Sequence, residues 1–186
     1  MFIIVEGPDG AGKSTAIEEL SMELWRQGRG CVLINPKRSP NQSAAVEYMV
    51  KLDWYKPGKG VDLILDRSWY SEDIYGPIWR GESSVSPQQR VNLEAWALKK
   101  GAVVVLLDEH DKTLVERVCG RDDDEDAKHM DPRRVVEYAW HYRQQAPDWR
   151  LPKVKFPVGF DFQAGPAIRH AEVYERLALD LLEETK

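Results

Sequence analysis

Gly7, Gly12, Lys13 and Ser14 stand at the spacing Gly-x4-Gly-Lys-Ser within VEGPDGAGKST, residues 5–15. These residue types prescribe a chemistry. Glycines permit a tight turn whose backbone N–H groups point inward at phosphate oxygens. A helix beginning there adds the positive end of its dipole. Lys13 would reach the outer phosphates, its ammonium facing solvent while the loop is empty, and Ser14 would ligate Mg²⁺. An apolar run precedes the motif and a helical pattern follows it, which is the context a phosphate-binding loop requires. The spacing is not that of the dinucleotide fingerprint.

A second group of reactive residues opens DRSWYSEDIYG, residues 66–76, at the end of the apolar run VDLILD. In a parallel sheet the carboxyl ends of the strands line the ligand crevice, so Asp66 and Arg67 should project beside the phosphate loop. Asp66 could orient Mg²⁺ or take a proton from a hydroxyl. Arg67 could hold a phosphate with its fork of donors.

The elements that must position these groups alternate along the chain. Residues 1–6, 31–35, 61–66, 102–108 and 154–161 read as strands. Residues 13–28, 43–52, 86–100, 111–119, 132–145 and 166–184 read as helices, with Ser43 and Ser86 as caps and Pro87 at a first helical position. The strands are continuous apolar runs, as in a parallel sheet covered on both faces. The expected fold is α/β: a central parallel sheet of about five strands with helices on both sides. Its 186 residues fit one domain, with a short lid near 120–131.

The formal charge of -5 gives no overall electrostatic attraction to nucleic acid, though a local basic groove is compatible with it. Cys31 and Cys119 lie far apart and form no metal pattern, which suits reduced thiols and a cytoplasmic setting. No signal peptide and no apolar run of ~20 residues is visible, so no membrane partner is expected.

FIIVEGPDGAGKST together with LILDRSWYSEDIYG resembles the thymidylate kinase family and the related deoxynucleoside kinases, with SWYSEDIYGPIWRGE similar to compact bacteriophage-encoded members. VVVLLDEHDKTLVERVCGR (103–121) is similar to the family's passage into its lid, and DFQAGPAIRHAEVY (161–174) resembles the segment whose loop packs on adenine. The resemblance implies the phosphate-loop kinase fold, with ATP and Mg²⁺ as cofactors. Gly7, Asp9, Gly10, Ala11, Gly12, Lys13, Ser14, Thr15 and Ala164 would bind ATP, with Ser14 and Asp66 on the metal. Lys13, Asp66, Arg67, Arg117 and Arg121 would be catalytic, the last two stabilising charge on the transferring phosphoryl group. Asp9, Lys37, Arg38, Arg67, Trp69 and Tyr70 would meet the acceptor.

The chain departs from the family in three places. NPKRSP (35–40) replaces the family's basic turn, offering Lys37 or Arg38 in its stead. The stretch from there to Asp66 is short, with Lys51, Lys56 and Lys59 as its further cations. Five consecutive acids, residues 122–126, occupy the lid, where such a run is ordinarily solvated. Core packing accounts for most of the aromatics Trp69, Tyr70, Tyr75, Trp79, Tyr138 and Tyr142, with His141 at the same helical spacing. One or two near Asp66 could stack on a base, worth ~1–3 kcal/mol.

The leading expectation is transfer of the ATP γ-phosphoryl group to a pyrimidine deoxynucleotide. The rival is transfer to a hydroxyl, either of 5-hydroxymethyluracil within DNA or the 5′-OH of a deoxynucleoside. A non-catalytic nucleotide switch is the third reading. The acceptor is thus of nucleotide or nucleoside type, with DNA as an alternative, and the protein is a monomer or homodimer.

Overall fold

The computed structural model describes residues 1–35, Tyr48, 61–120 and 131–157, with side chains as far as Val154. Five strands form one parallel sheet: β1 (Phe2–Glu6), β2 (Gly30–Ile34), β3 (Val61–Asp66), β4 (Ala102–Asp108) and β5 (Lys153–Pro157), in the spatial order β2-β3-β1-β4-β5. The helices are α1 (Lys13–Arg26), α2 (Trp69–Arg80), α3 (Pro87–Lys99), α4 (Asp111–Cys119) and α5 (Pro132–Gln145). Among the described residues no helix is long and apolar enough to cross a membrane.

The two periodicities of strand and helix build a core on each face of the sheet. Phe2, Ile4, Leu63, Leu65, Val104 and Leu106 point to one side, where α2 and α3 cover them with Trp69, Tyr70, Ile74, Leu93 and Ala97. Ile3, Val5, Ile64, Val103, Val105 and Leu107 point to the other, beneath Ala16, Ile17, Leu20 and Leu24 of α1, Leu114 and Val118 of α4, and Val135 and Ala139 of α5. Every residue of β1 is buried, as its central place and unbroken apolar run require.

The register sets the site. Val5 pairs with Asp66 and Glu6 with Leu106, so the ends of β1, β3 and β4 finish side by side. The expected elements within the described residues are present, with ends shifted by a few residues. Ser86 caps α3 in a full capping box with Gln89. One helix was not expected. α2 carries Gly76 and Pro77 in its interior, residues that read locally as breakers. It is held instead by Ser68 at its N-cap and by Trp69, Tyr70 and Ile74 buried against the sheet. Of the helix expected over 43–52, Tyr48 alone falls among the described residues, and the expected helix over 166–184 lies outside them.

Candidate active site

The loop from Gly7 to Gly12 leaves β1 and enters α1. Gly7 (φ 148), Gly10 (φ 82) and Gly12 (φ 83) all adopt backbone conformations that side chains rarely take. Gly7 also lies against β4, where an added Cβ would come within 2.6 Å of the Leu107 carbonyl oxygen. Gly12 is the N-cap of α1 and supplies no side-chain cap, so the first turn of the helix keeps its donors for another partner. Ser14 and Thr15 are exposed on that turn.

Lys13 differs from expectation. It is 8% exposed and does not face solvent: its Nζ donates to the Gly7 carbonyl at 2.9 Å and the Pro8 carbonyl at 2.8 Å. The loop's own oxygens stand in for phosphate. Burial lowers the Lys13 pKa to about 7, with Arg67 acting in the same direction and Asp9, Asp66 and Glu6 against it.

Asp66 closes β3. Its Oδ2 accepts from Asn35 Nδ2 at 2.9 Å, while its buried Oδ1 has no hydrogen-bond partner among the described residues. Arg67 follows with φ 69, the left-handed region, the one such non-glycine among the described residues. This turn swings its guanidinium onto the Asp9 carboxylate and over the Tyr75 ring, 4.8 Å from the centroid. Tyr75 donates to the other Asp9 oxygen at 3.2 Å. Asp9, Asn35, Tyr48, Asp66, Arg67, Ser71, Glu72, Tyr75, Trp79 and Tyr138 line a cleft of about 270 Å³. The two motifs, joined by an Arg67–Asp9 pair 58 residues apart in sequence, therefore converge through Asp9.

Trp69 and Tyr70 correct the sequence reading. Both are fully buried in the core under the sheet, and Tyr70 stacks on Trp149 at 4.2 Å, so neither reaches the cleft. The aromatics that do are Tyr48, then Tyr75 and Trp79 further along α2, and Tyr138 of α5. Trp79 remains half exposed, and Arg134 lies over its ring at 5.0 Å.

Arg117, on α4, donates to the Gly10 carbonyl at 3.1 Å and pairs with Glu109 at 3.2 Å, against the back of the phosphate loop. Arg143 bonds Asp108, Asp111 and the Glu109 carbonyl, tying α5 to the β4–α4 turn. Lys37, Arg38, Arg121 and Ala164 lie outside the described residues, as do the expected lid positions 121–130 and the acidic run within them.

The donor set fits a magnesium ion shared with phosphates. No three His, Cys, Asp or Glu side chains form a metal cage among the described residues, whereas Asp66 Oδ1 is an oxygen ligand without a partner and Ser14 is free on the helix's first turn. Mg²⁺ is ordinarily bound in just this way, by one or two protein oxygens with phosphates and waters completing the octahedron.

No protein-family model matches the chain, and no curated protein matches it in sequence. Solved structures do. The YorR protein from Bacillus subtilis, in complex with phosphorylated GDP, superposes with a TM-score of 0.72 at 22% identity, covering 98% of this chain and 96% of that one. Deoxyadenosine kinase from M. mycoides with the products dCMP and dCDP gives 0.55 at 15% identity over 100% of both chains. The same kinase with bound dATP gives 0.57 at 15% identity, covering 98% and 99%. The fold is the α/β phosphate-loop kinase fold.

Proposed function

We propose that this protein is an ATP-dependent kinase that moves the γ-phosphoryl group to an acceptor of nucleotide type, with a pyrimidine deoxynucleotide as the leading acceptor. The observation that carries the reading is the convergence of Lys13 and the glycine loop with Asp66 and Arg67 at the carboxyl ends of β1 and β3. The fold's neighbours, crystallised with nucleotides of their own, support it.

Each residue has a task in such a transfer. The loop amides and the start of α1 bind the donor phosphates. Lys13 Nζ leaves the Gly7 and Pro8 carbonyls for the outer phosphates, and Arg117 steadies the loop from behind. Ser14 and Asp66 would hold Mg²⁺, which would offset the negative charge of the phosphates. Arg67 leaves Asp9 to grip the acceptor, while Tyr75, Trp79 and Tyr138 supply a flat wall for its base.

One observation favours a hydroxyl acceptor as the second reading. Asp66 Oδ1, buried at the cleft without a hydrogen bond, is placed to take the proton that a hydroxyl must lose and a phosphate need not. Labelled ATP, incubated in parallel with dTMP, thymidine, 5-hydroxymethyl-dUMP and DNA containing 5-hydroxymethyluracil, separates the readings. Label in dTMP upholds the first. Label confined to thymidine or to the polymer moves the assignment to the second. Label in none leaves a nucleotide-binding switch.

A further inference from the structure

Glu6 is the last residue of β1 and is completely buried, yet among the described residues no lysine or arginine ion-pairs with it. Both its oxygens are taken by hydrogen bonds. Oε1 accepts from the Ser68 N–H at 2.7 Å and from Ser68 Oγ at 2.6 Å. Oε2 accepts from Ser71 Oγ at 2.6 Å, and the Tyr142 hydroxyl lies 2.7 Å from Ser71 Oγ and 3.2 Å from Oε2. All three partners are themselves buried. A carboxylate kept out of water on these terms is costly unless every bond is made, and replacing it would leave buried donors unsatisfied.

The donors come from the element that presents Arg67. Ser68 Oγ also accepts from the Tyr70 N–H at 3.2 Å, so the same hydroxyl caps α2 while donating to Glu6. One residue earlier, the Arg67 N–H donates to the Val5 carbonyl at 3.0 Å. Residues 67 and 68 are thus pinned in succession to residues 5 and 6. Between these anchors lies the left-handed turn at Arg67, a conformation that is costly for a non-glycine residue and persists only when its surroundings fix it. On the other side of Glu6 begins the phosphate loop.

We propose that Glu6 is a positioning residue for the acceptor: its carboxylate fixes Ser68, and through Ser68 the turn that delivers the Arg67 guanidinium into the cleft, and it takes no proton in the reaction. This rests on the kinase reading of the same site. Oε1 of Glu6 is held by two donors of Ser68, and Oε2 by the hydroxyl pair of Ser71 and Tyr142. Of the buried carboxylate oxygens without a hydrogen bond among the described residues, the one in a residue that lines the cleft is Asp66 Oδ1.

The test compares Glu6→Gln, Glu6→Ala and Ser68→Ala with the wild type, using whichever of dTMP, thymidine or 5-hydroxymethyluracil DNA the wild type phosphorylates. Glutamine can keep one oxygen on the Ser68 N–H and turn its amide to the Ser71 and Tyr142 hydroxyls, which can accept as well as donate. Glu6→Ala should raise the acceptor KM about tenfold or more while the ATP KM stays within about twofold, and Glu6→Gln should recover most of that loss. Amide hydrogen exchange at residues 67–70 should quicken in Glu6→Ala and stay slow in Glu6→Gln. Where Glu6→Ala does not fold, Ser68→Ala carries the test, with the acceptor KM raised several-fold and faster exchange at Tyr70. A kcat loss of about a hundredfold or more in Glu6→Gln, with the acid limb of the pH profile gone, would make Glu6 a proton acceptor and overturn the proposal. Equal loss of affinity for ATP and acceptor, or no change in Ser68→Ala, would overturn it too. If the wild type phosphorylates no acceptor, the kinase reading fails by itself, and exchange at residues 67–70 still decides whether Glu6 holds the turn.

Discussion

Lys13 is asked to keep a charge in a place that disfavours it. Its pKa, lowered by burial to about 7, lies below the ordinary lysine value of 10.5. Folding therefore releases a proton between those values, and the unfolded chain binds more protons there. Stability should accordingly rise as pH climbs from about 7 toward 10.5, and the charge penalty should be felt in full below 7. Urea unfolding of the nucleotide-free protein at pH 7 and 9 checks this, with Lys13→Met as the reference that lacks the effect. Phosphate would reverse the balance by restoring an anionic partner. Lys13→Ala should then fold normally and lose about 10²–10⁴ in transfer rate, read by single-turnover assay. Asp66→Asn and Arg67→Ala should fail in different ways. The first should lower kcat at unchanged acceptor KM, and most severely if a hydroxyl is the acceptor. The second should raise acceptor KM, because its guanidinium fork is lost from the binding wall. Equal and mild effects from the pair would take this motif out of the active site.

At the scale of elements, the phosphate loop is a junction between β1, β4 and α1. Gly7→Ala would place a methyl group 2.6 Å from the Leu107 carbonyl oxygen of β4, on backbone that cannot give way cheaply. It should cost about 1–3 kcal/mol in denaturant unfolding, and ATP binding with it. Ser86→Ala removes the α3 capping box and should cost about 1 kcal/mol with no effect on turnover, since α3 lies away from the cleft. The same elements show what could be read in the sequence. The phosphate loop, the strands and the Ser86 cap were legible because each rests on a local pattern: spacing, a strand-like run, a serine before proline. α2 was not, because Gly76 and Pro77 argue locally against a helix that the sheet then imposes. Missing the helix also misplaced Trp69 and Tyr70. They stand next to Asp66 in sequence, but the first turn of α2 points them into the core, and the cleft receives Tyr75 and Trp79 instead. Glu6 had a faint signal, a charged residue ending a strand that is otherwise wholly apolar. Its partners are 62, 65 and 136 positions away, and only the fold assembles them.

For the whole molecule, nucleotide binding should act as a stabiliser. Lys13, the α1 N-terminus and the loop amides exist as a phosphate site only in the folded chain, so an ATP analogue with Mg²⁺ at about a hundred times its Kd should add about 2.7 kcal/mol. Thermal melts with and without the analogue measure it, and Lys13→Ala should lose most of the shift. A different consequence follows from the place of β1 in the sheet. β1 is central in the sheet and is synthesised before both strands it pairs with: Phe2 finds its neighbours at Leu63 on one side and Ala102 on the other. Translation at about 5–20 residues per second keeps those partners seconds away. During that interval the nascent Phe2–Val5 run has no strand beside it, and long-range parallel pairing of this kind is slow to form even once both strands are present. A chain released before β4 is complete would carry Ile3 and Ile4 on an open edge, prone to join the same edge of another copy, and holding it apart until Asp108 emerges is work for the ribosome's surface and for chaperones.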